Sequence, residues 1–142
     1  MHGGGAMSDA EQSNVESHFR KPTAEERSLL ERLLEAEFPG KDELAPMVRS
    51  ILVRTTDVDG GLELRSQTEG KSPVVKRVPV EAEAKDEDGV VIHMLLHVVD
   101  GKPVVLEIFR EDGATVRRMP DPSALELIVL PPMPDKGWAH PT

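Results

Sequence analysis

The sequence predicts an α+β fold: an N-terminal helix packed on one face of an antiparallel meander sheet of about six or seven strands. Three observations predict it. A leucine stripe, Leu29, Leu30, Leu33 and Leu34, follows a helix-start signature at Thr23. From Val48 onward, short runs rich in valine, isoleucine and leucine alternate with polar residues, which is the period of a half-buried strand. Four Asp-Gly dipeptides, Asp59-Gly60, Asp88-Gly89, Asp100-Gly101 and Asp112-Gly113, punctuate these runs, and the last three recur every 12 residues.

With 142 residues there is room for one domain. Residues 1–18 hold Gly3-Gly4-Gly5 and mostly polar side chains, too little apolar surface to offset ordering, so they read as a flexible arm. His2 and the three glycines ahead of Met7 resemble a tag or a displaced start. Residues 131–142, with Pro131, Pro132, Pro134 and Pro141, read as an extended tail carrying Trp138. The expected domain is therefore 19–130.

Thr23 can accept from the amide of Glu26 while the Glu26 carboxylate reaches back, a capping box with Pro22 just outside it. Phe38-Pro39-Gly40 ends that helix, and a short helical turn over Lys41–Ala45 is expected to stop before Pro46. Strands are expected at Val48–Thr55, Leu62–Ser66, Val74–Ala84, Val90–Val99, Val104–Arg110, Ala114–Arg118 and Leu125–Leu130.

Parity sorts the side chains of these strands. Val90, Ile92, Met94, Leu96 and Val98 are apolar at even positions, as are Val104, Leu106 and Ile108, whereas His93, His97 and Glu107 are odd. A two-residue turn at Asp100-Gly101 pairs even with odd and drives Glu107 inward. A three-residue loop, Val99-Asp100-Gly101, keeps even with even and sets His93 opposite Glu107. Extending that logic sets Glu81 opposite His93 and Arg117 opposite Glu107, with Arg77 beside His97. The expected outer row is Glu81, His93, Glu107 and Arg117, and Leu95, Val105 and Phe109 share its face.

Glu81, His93 and Glu107 are thus the candidate catalytic or metal-binding residues, because strands ~4.8 Å apart would let them converge on one proton or one cation. Against this, alternating charges are the ordinary dress of a solvated sheet face, and Arg117 would neutralise Glu107 without an ion. No metal is assigned on this reading. His93 and His97, four apart on a strand, lie ~13 Å from each other and cannot share zinc. Asp57-Val58-Asp59-Gly60 and Asp86-Glu87-Asp88-Gly89 resemble fragments of calcium loops but lack the glutamate at the twelfth position, where Thr68 and His97 stand. No Gly-x-Ser-x-Gly elbow and no phosphate-cradling glycine motif is present.

The composition excludes further classes. There are 26 acidic against 17 basic residues, a net charge of -9, with three phenylalanines, one tryptophan and no tyrosine, so no nucleic-acid partner is expected. No apolar run is long enough for a transmembrane helix, so no membrane partner is expected either. The lack of cysteine removes disulfides and thiolate chemistry and fits a cytoplasmic location.

Phe19-Arg20-Lys21-Pro22-Thr23-Ala24-Glu25-Glu26-Arg27, the stretch from Val78 to Ala84, Leu95 to Gly101 and Glu111-Asp112-Gly113 together resemble a bacterial family of short single-domain proteins of unknown function, over about residues 19–130. The resemblance implies no activity, cofactor or site residue. The expectation is a non-enzymatic protein-binding or regulatory module of the inhibitor or immunity kind, without a cofactor. Its partner would be a basic protein or a second copy of this chain, on a face with Arg77, Leu95, His97, Val105, Phe109 and Arg117. The alternative is a small enzyme or a ligand- or metal-binding protein that uses Glu81, His93 and Glu107.

Overall fold

The computed structural model describes residues 16–131, so most of the expected arm, Trp138 and the tail beyond Pro131 lie outside the described residues. In chain order the elements are α1 (Ala24–Leu33), α2 (Lys41–Arg49), β1 (Leu52–Thr55), β2 (Leu62–Arg65), β3 (Val80–Lys85), β4 (Val91–Val99), β5 (Lys102–Arg110), a 3₁₀ turn at Pro122–Ala124, and β6 (Glu126–Ile128). Among the described residues, two helices and one six-stranded antiparallel sheet make the fold α+β. Across the sheet the order is β1-β2-β5-β4-β3-β6. Only β3–β4–β5 is a sequential meander; the β1–β2 hairpin joins through β5, and β6 returns to β3. Among the described residues no helix is long and apolar enough to cross a membrane.

The capping box forms as its residues require. The Glu26 amide donates to Thr23 Oγ1 at 3.1 Å, and the Thr23 amide donates to Glu26 Oε1 at 2.9 Å. The four leucines that follow are all buried. Gly40, at φ 87°, caps α2 from a left-handed conformation, and a Cβ there would come within 2.7 Å of Val74. α2 continues through Pro46 to Arg49, longer than the expected turn over Lys41–Ala45. Proline costs it one amide donor on an exposed position, whereas the second half buries Met47 and Val48. Fully burying a side chain of that size stabilises by roughly 1.5–3 kcal/mol, comparable to the proline penalty. Val48 and Arg49, expected in the first strand, are therefore helical.

Two further strands differ from expectation. Of the expected Val74–Ala84 only Val80–Ala84 is in the sheet, the strand running one residue further to Lys85, with Pro79 just before it, where the missing donor is tolerated. Ala114–Arg118 is irregular instead of a seventh strand, because side-chain carboxylates take its amides. Asp59 accepts from Val116 (2.8 Å), and Asp86 accepts from Arg117 and Arg118 (2.7 and 3.0 Å).

The parity of the sheet follows the sequence pattern except at the start of β5, where odd-numbered Pro103 is buried and Val104, expected inside, is half-buried. Val80, Ala82, Ile92, Met94, Leu96, Val98, Leu106 and Ile108 are buried in one cluster with the α1 leucines and with Leu44 and Val48 of α2, while Glu107 is exposed. The mechanism that keeps this parity is not the three-residue loop. Asp100 and Gly101 both have positive φ (57° and 74°), the mark of a tight type I′ turn, and Val99 pairs with Lys102. Val98 then faces Pro103, even against odd. A bulge next to His97 leaves Val104 unmatched, and His97↔Val105 restores the phase. Gly101 is required there, since a Cβ would sit 2.3 Å from the Ser72 carbonyl oxygen.

Candidate functional site

The register shifts the predicted outer row by two residues. His93 pairs with Phe109 on β5 and Glu83 on β3; Leu95 pairs with Glu107 and Glu81. One row of the outer side is therefore Phe109, His93, Glu83 and Glu126, and the next is Glu107, Leu95, Glu81 and Ile128. Val105 and His97 stand opposite each other in a third. The row Glu81, His93, Glu107 and Arg117 does not form. Arg117, which lies outside the sheet, pairs with Asp88 at 3.3 Å.

Two separate histidine–carboxylate groups result. The His93 ring stacks on Phe109 at 5.0 Å between centroids, with Nε2 3.0 Å from Glu111 and Nδ1 3.5 Å from Glu83. His97 Nδ1 accepts from Arg77 Nε at 3.1 Å, and its Nε2 lies 2.8 Å from Glu107. A guanidinium only donates, so that Nδ1 carries no proton, and Nε2–H donates to the carboxylate. Both histidine side chains keep 17% of their surface exposed. Glu83 and Glu126 are directly opposed on neighbouring strands, like charges that weaken a sheet. Among the described residues no group of three or more metal-ligating side chains is arranged to hold an ion.

A second polar cluster, not among the residues the sequence singles out, sits at the end of β5. Arg110, at an even position, turns inward with the apolar residues, and its side chain is 3% exposed. Its guanidinium donates to Asp86 (2.9 Å), to both oxygens of Asp88 (3.0 Å each) and to both oxygens of Asp112 (3.0 and 2.7 Å). The Asp86-Glu87-Asp88-Gly89 turn that resembles a calcium loop thus closes on an arginine. Burial alone would raise the Asp86 carboxyl, but the Arg117 and Glu87 amides, Arg110 and the Arg118 amide overcome it and hold it at about 2. Arg110 and the Ala114 amide hold Asp112 at about 2 as well. In turn Asp112 and Asp88 raise the affinity of Arg110 for its proton. The signal available in the sequence was the parity itself, which puts an arginine among inward residues next to two Asp-Gly turns.

A cleft of about 1220 Å³ runs between the exposed side of α1 and the segment 118–123, with Glu25, Glu31, Met119 and Asp121 on its walls. Arg32 bridges it at one end by donating to the carbonyls of Pro122 and Leu125.

No curated protein and no solved structure matches the chain. Residues 19–120, well over half of its length, match the family described as Domain of unknown function (DUF6984), and the chain belongs to that family.

Proposed function

We propose that the protein is a non-enzymatic binding or regulatory module, of the inhibitor or immunity kind, that recognises a basic surface of another protein through the outer side of its sheet. The helices are read as covering the inward, even-numbered side, which leaves the outer side to the partner. The observation that carries the reading is the setting of Glu81, Glu83, Glu107 and Glu126 around Leu95, Phe109 and Ile128, with Glu111 against His93 beside Phe109. Apolar side chains ringed by like charges suit a desolvated anchor with an electrostatic rim. The opposed Glu83 and Glu126 repel each other in the free protein, and a cationic partner relieves that repulsion. The net charge of -9 steers association with basic surfaces in the same direction. The alternative, an enzyme or metal site, would need Glu81, His93 and Glu107 to converge. Glu107 instead meets His97, and Glu81 faces Leu95.

Paired affinity purification with wild type and Leu95→Arg tests the reading, with thermal melts to check that the variant folds. A protein with a basic interface recovered by wild type and lost by the variant supports it. Equal recovery from both, or recovery from neither, overturns it. A dimer seen by light scattering that Leu95→Arg dissociates would replace it with self-association.

A further inference from the structure

The two edges of the sheet are finished differently. Along β1, Arg20 and Val53 exchange both backbone hydrogen bonds (2.8 and 2.7 Å), and the Glu16 amide donates to the Thr55 carbonyl (2.9 Å). Along β6, nothing among the described residues plays that part. The register identifies the groups left over. The Glu111 amide donates to the Val91 carbonyl and the Asp86 amide to the Val90 carbonyl, so the backbones of odd β4 residues face β5 and those of even ones face β3. Carried across β3, this alternation turns the backbones of Glu81 and Glu83 toward Ile128 and Glu126. The N–H and C=O of Leu127 then point away from the sheet, while its side chain packs against the core. Val129 and Leu130, 36% and 52% exposed, extend the apolar run past the strand.

Resting on the binding-module reading, we propose that the β6 edge accepts an extended segment of the basic partner as a seventh strand. The Leu127 backbone supplies the main-chain hydrogen bonds of strand addition. Side chains at alternate positions of the added strand share the outer side with Glu126 and Ile128, so a lysine or arginine there stands beside the Glu83–Glu126 pair. That pair selects a cationic strand over an acidic one. A second copy of this chain, itself at net charge -9, brings the wrong sign.

Amide hydrogen exchange on the full chain, with and without a synthetic peptide of alternating lysine and valine, tests this. The Leu127 amide is expected to exchange fast in the free protein and about tenfold or more slowly with saturating peptide. Glu126→Lys is expected to weaken peptide binding about tenfold, and added salt to weaken it further. A glutamate–valine peptide that binds as well as the lysine–valine one overturns the proposal. So does a Leu127 amide already protected in the free protein: independent of concentration, this would mean that the chain's own ends hold the edge, and concentration-dependent, that a second copy does. Peptide binding that shifts His93 and Phe109 signals but leaves Leu127 exchange unchanged overturns strand addition and leaves the outer-side reading standing. Absence of peptide binding also overturns it, and the outer-side reading is then decided by the Leu95→Arg comparison.

Discussion

β5 carries one polar cluster at its end and another along its outer side, and the two differ in what surrounds their charges. Arg110 and Asp86 are almost wholly shut away from water, with side chains 3% and 0% exposed, and each meets several hydrogen-bonding partners. On the outer side, Glu107 and Glu111 remain 48% and 65% exposed while each meets a histidine. A carboxylate hydrogen-bonded to a nitrogen-bearing side chain is the chemistry of both. In the dry cluster, removing one partner strands the other in a medium that cannot solvate it. In the wet one, water takes the place of the lost partner, and the pair contributes little to stability. The first cluster is therefore architecture, tying the β3–β4 turn, the end of β5 and residues 117–118 together, and the second is surface.

The largest expected effect is that of Arg110→Met. It takes the guanidinium away from buried Asp86 and from Asp88 and Asp112, and the melting temperature is expected to fall by more than about 10 °C in a calorimetric scan. Adding Asp86→Asn to Arg110→Met should recover part of the loss, since the two share one interaction. A fall no greater than that of an outer-side variant would erase the contrast between the clusters.

Acid should expose the same difference. Asp86 and Asp112 titrate at about 2 when folded and near 3.8 when unfolded. Between those values the unfolded chain takes up protons that the folded one refuses. The stability these groups contribute is thus complete above about pH 4 and lost as pH falls through about 2. Urea midpoints measured across this range should drop for wild type and drop less for Asp86→Asn. An unchanged slope in the variant would mean that other carboxylates carry the acid sensitivity.

A yardstick between the extremes comes from outside both clusters. Thr23→Ala removes the acceptor of the α1 cap and is expected to cost about 1 kcal/mol by denaturant unfolding. Smallest of all, Glu107→Gln keeps the shape of the His97 contact, and its effect on stability should stay within about 0.5 kcal/mol. Its effect should appear instead in partner binding, which sharpens the division between architecture and surface.

Much of the fold was legible because its cues are local. Thr23, Glu26 and the leucines after them need only one another to specify α1. The alternation in β4 and β5 needs only the two-residue period of a strand. The sequence ends α2 early because Pro46 is a local cue, whereas the burial of Met47 and Val48 that outweighs it is not. Ala114–Arg118 reads as a strand because nothing nearby in sequence announces that Asp59 and Asp86 take its amides. Of the candidate site, the sharing of one side by His93, Leu95, His97, Glu107 and Phe109 was legible; the partner of each histidine was not.

Which side chains share a side of the sheet was thus settled by the chain itself, since alternation along a strand is a property of consecutive residues. Tertiary structure alone decided the register. A slip of two residues keeps every apolar side chain inside, so the hydrophobic pattern is blind to it; a tight turn at Asp100-Gly101 and the bulge at Val104 choose. It alone decided, too, that Arg110 is dry and Glu107 is wet. The surroundings of a charge are set by groups distant along the chain, and here Asp86 and Asp88, 24 and 22 residues before Arg110, close over it.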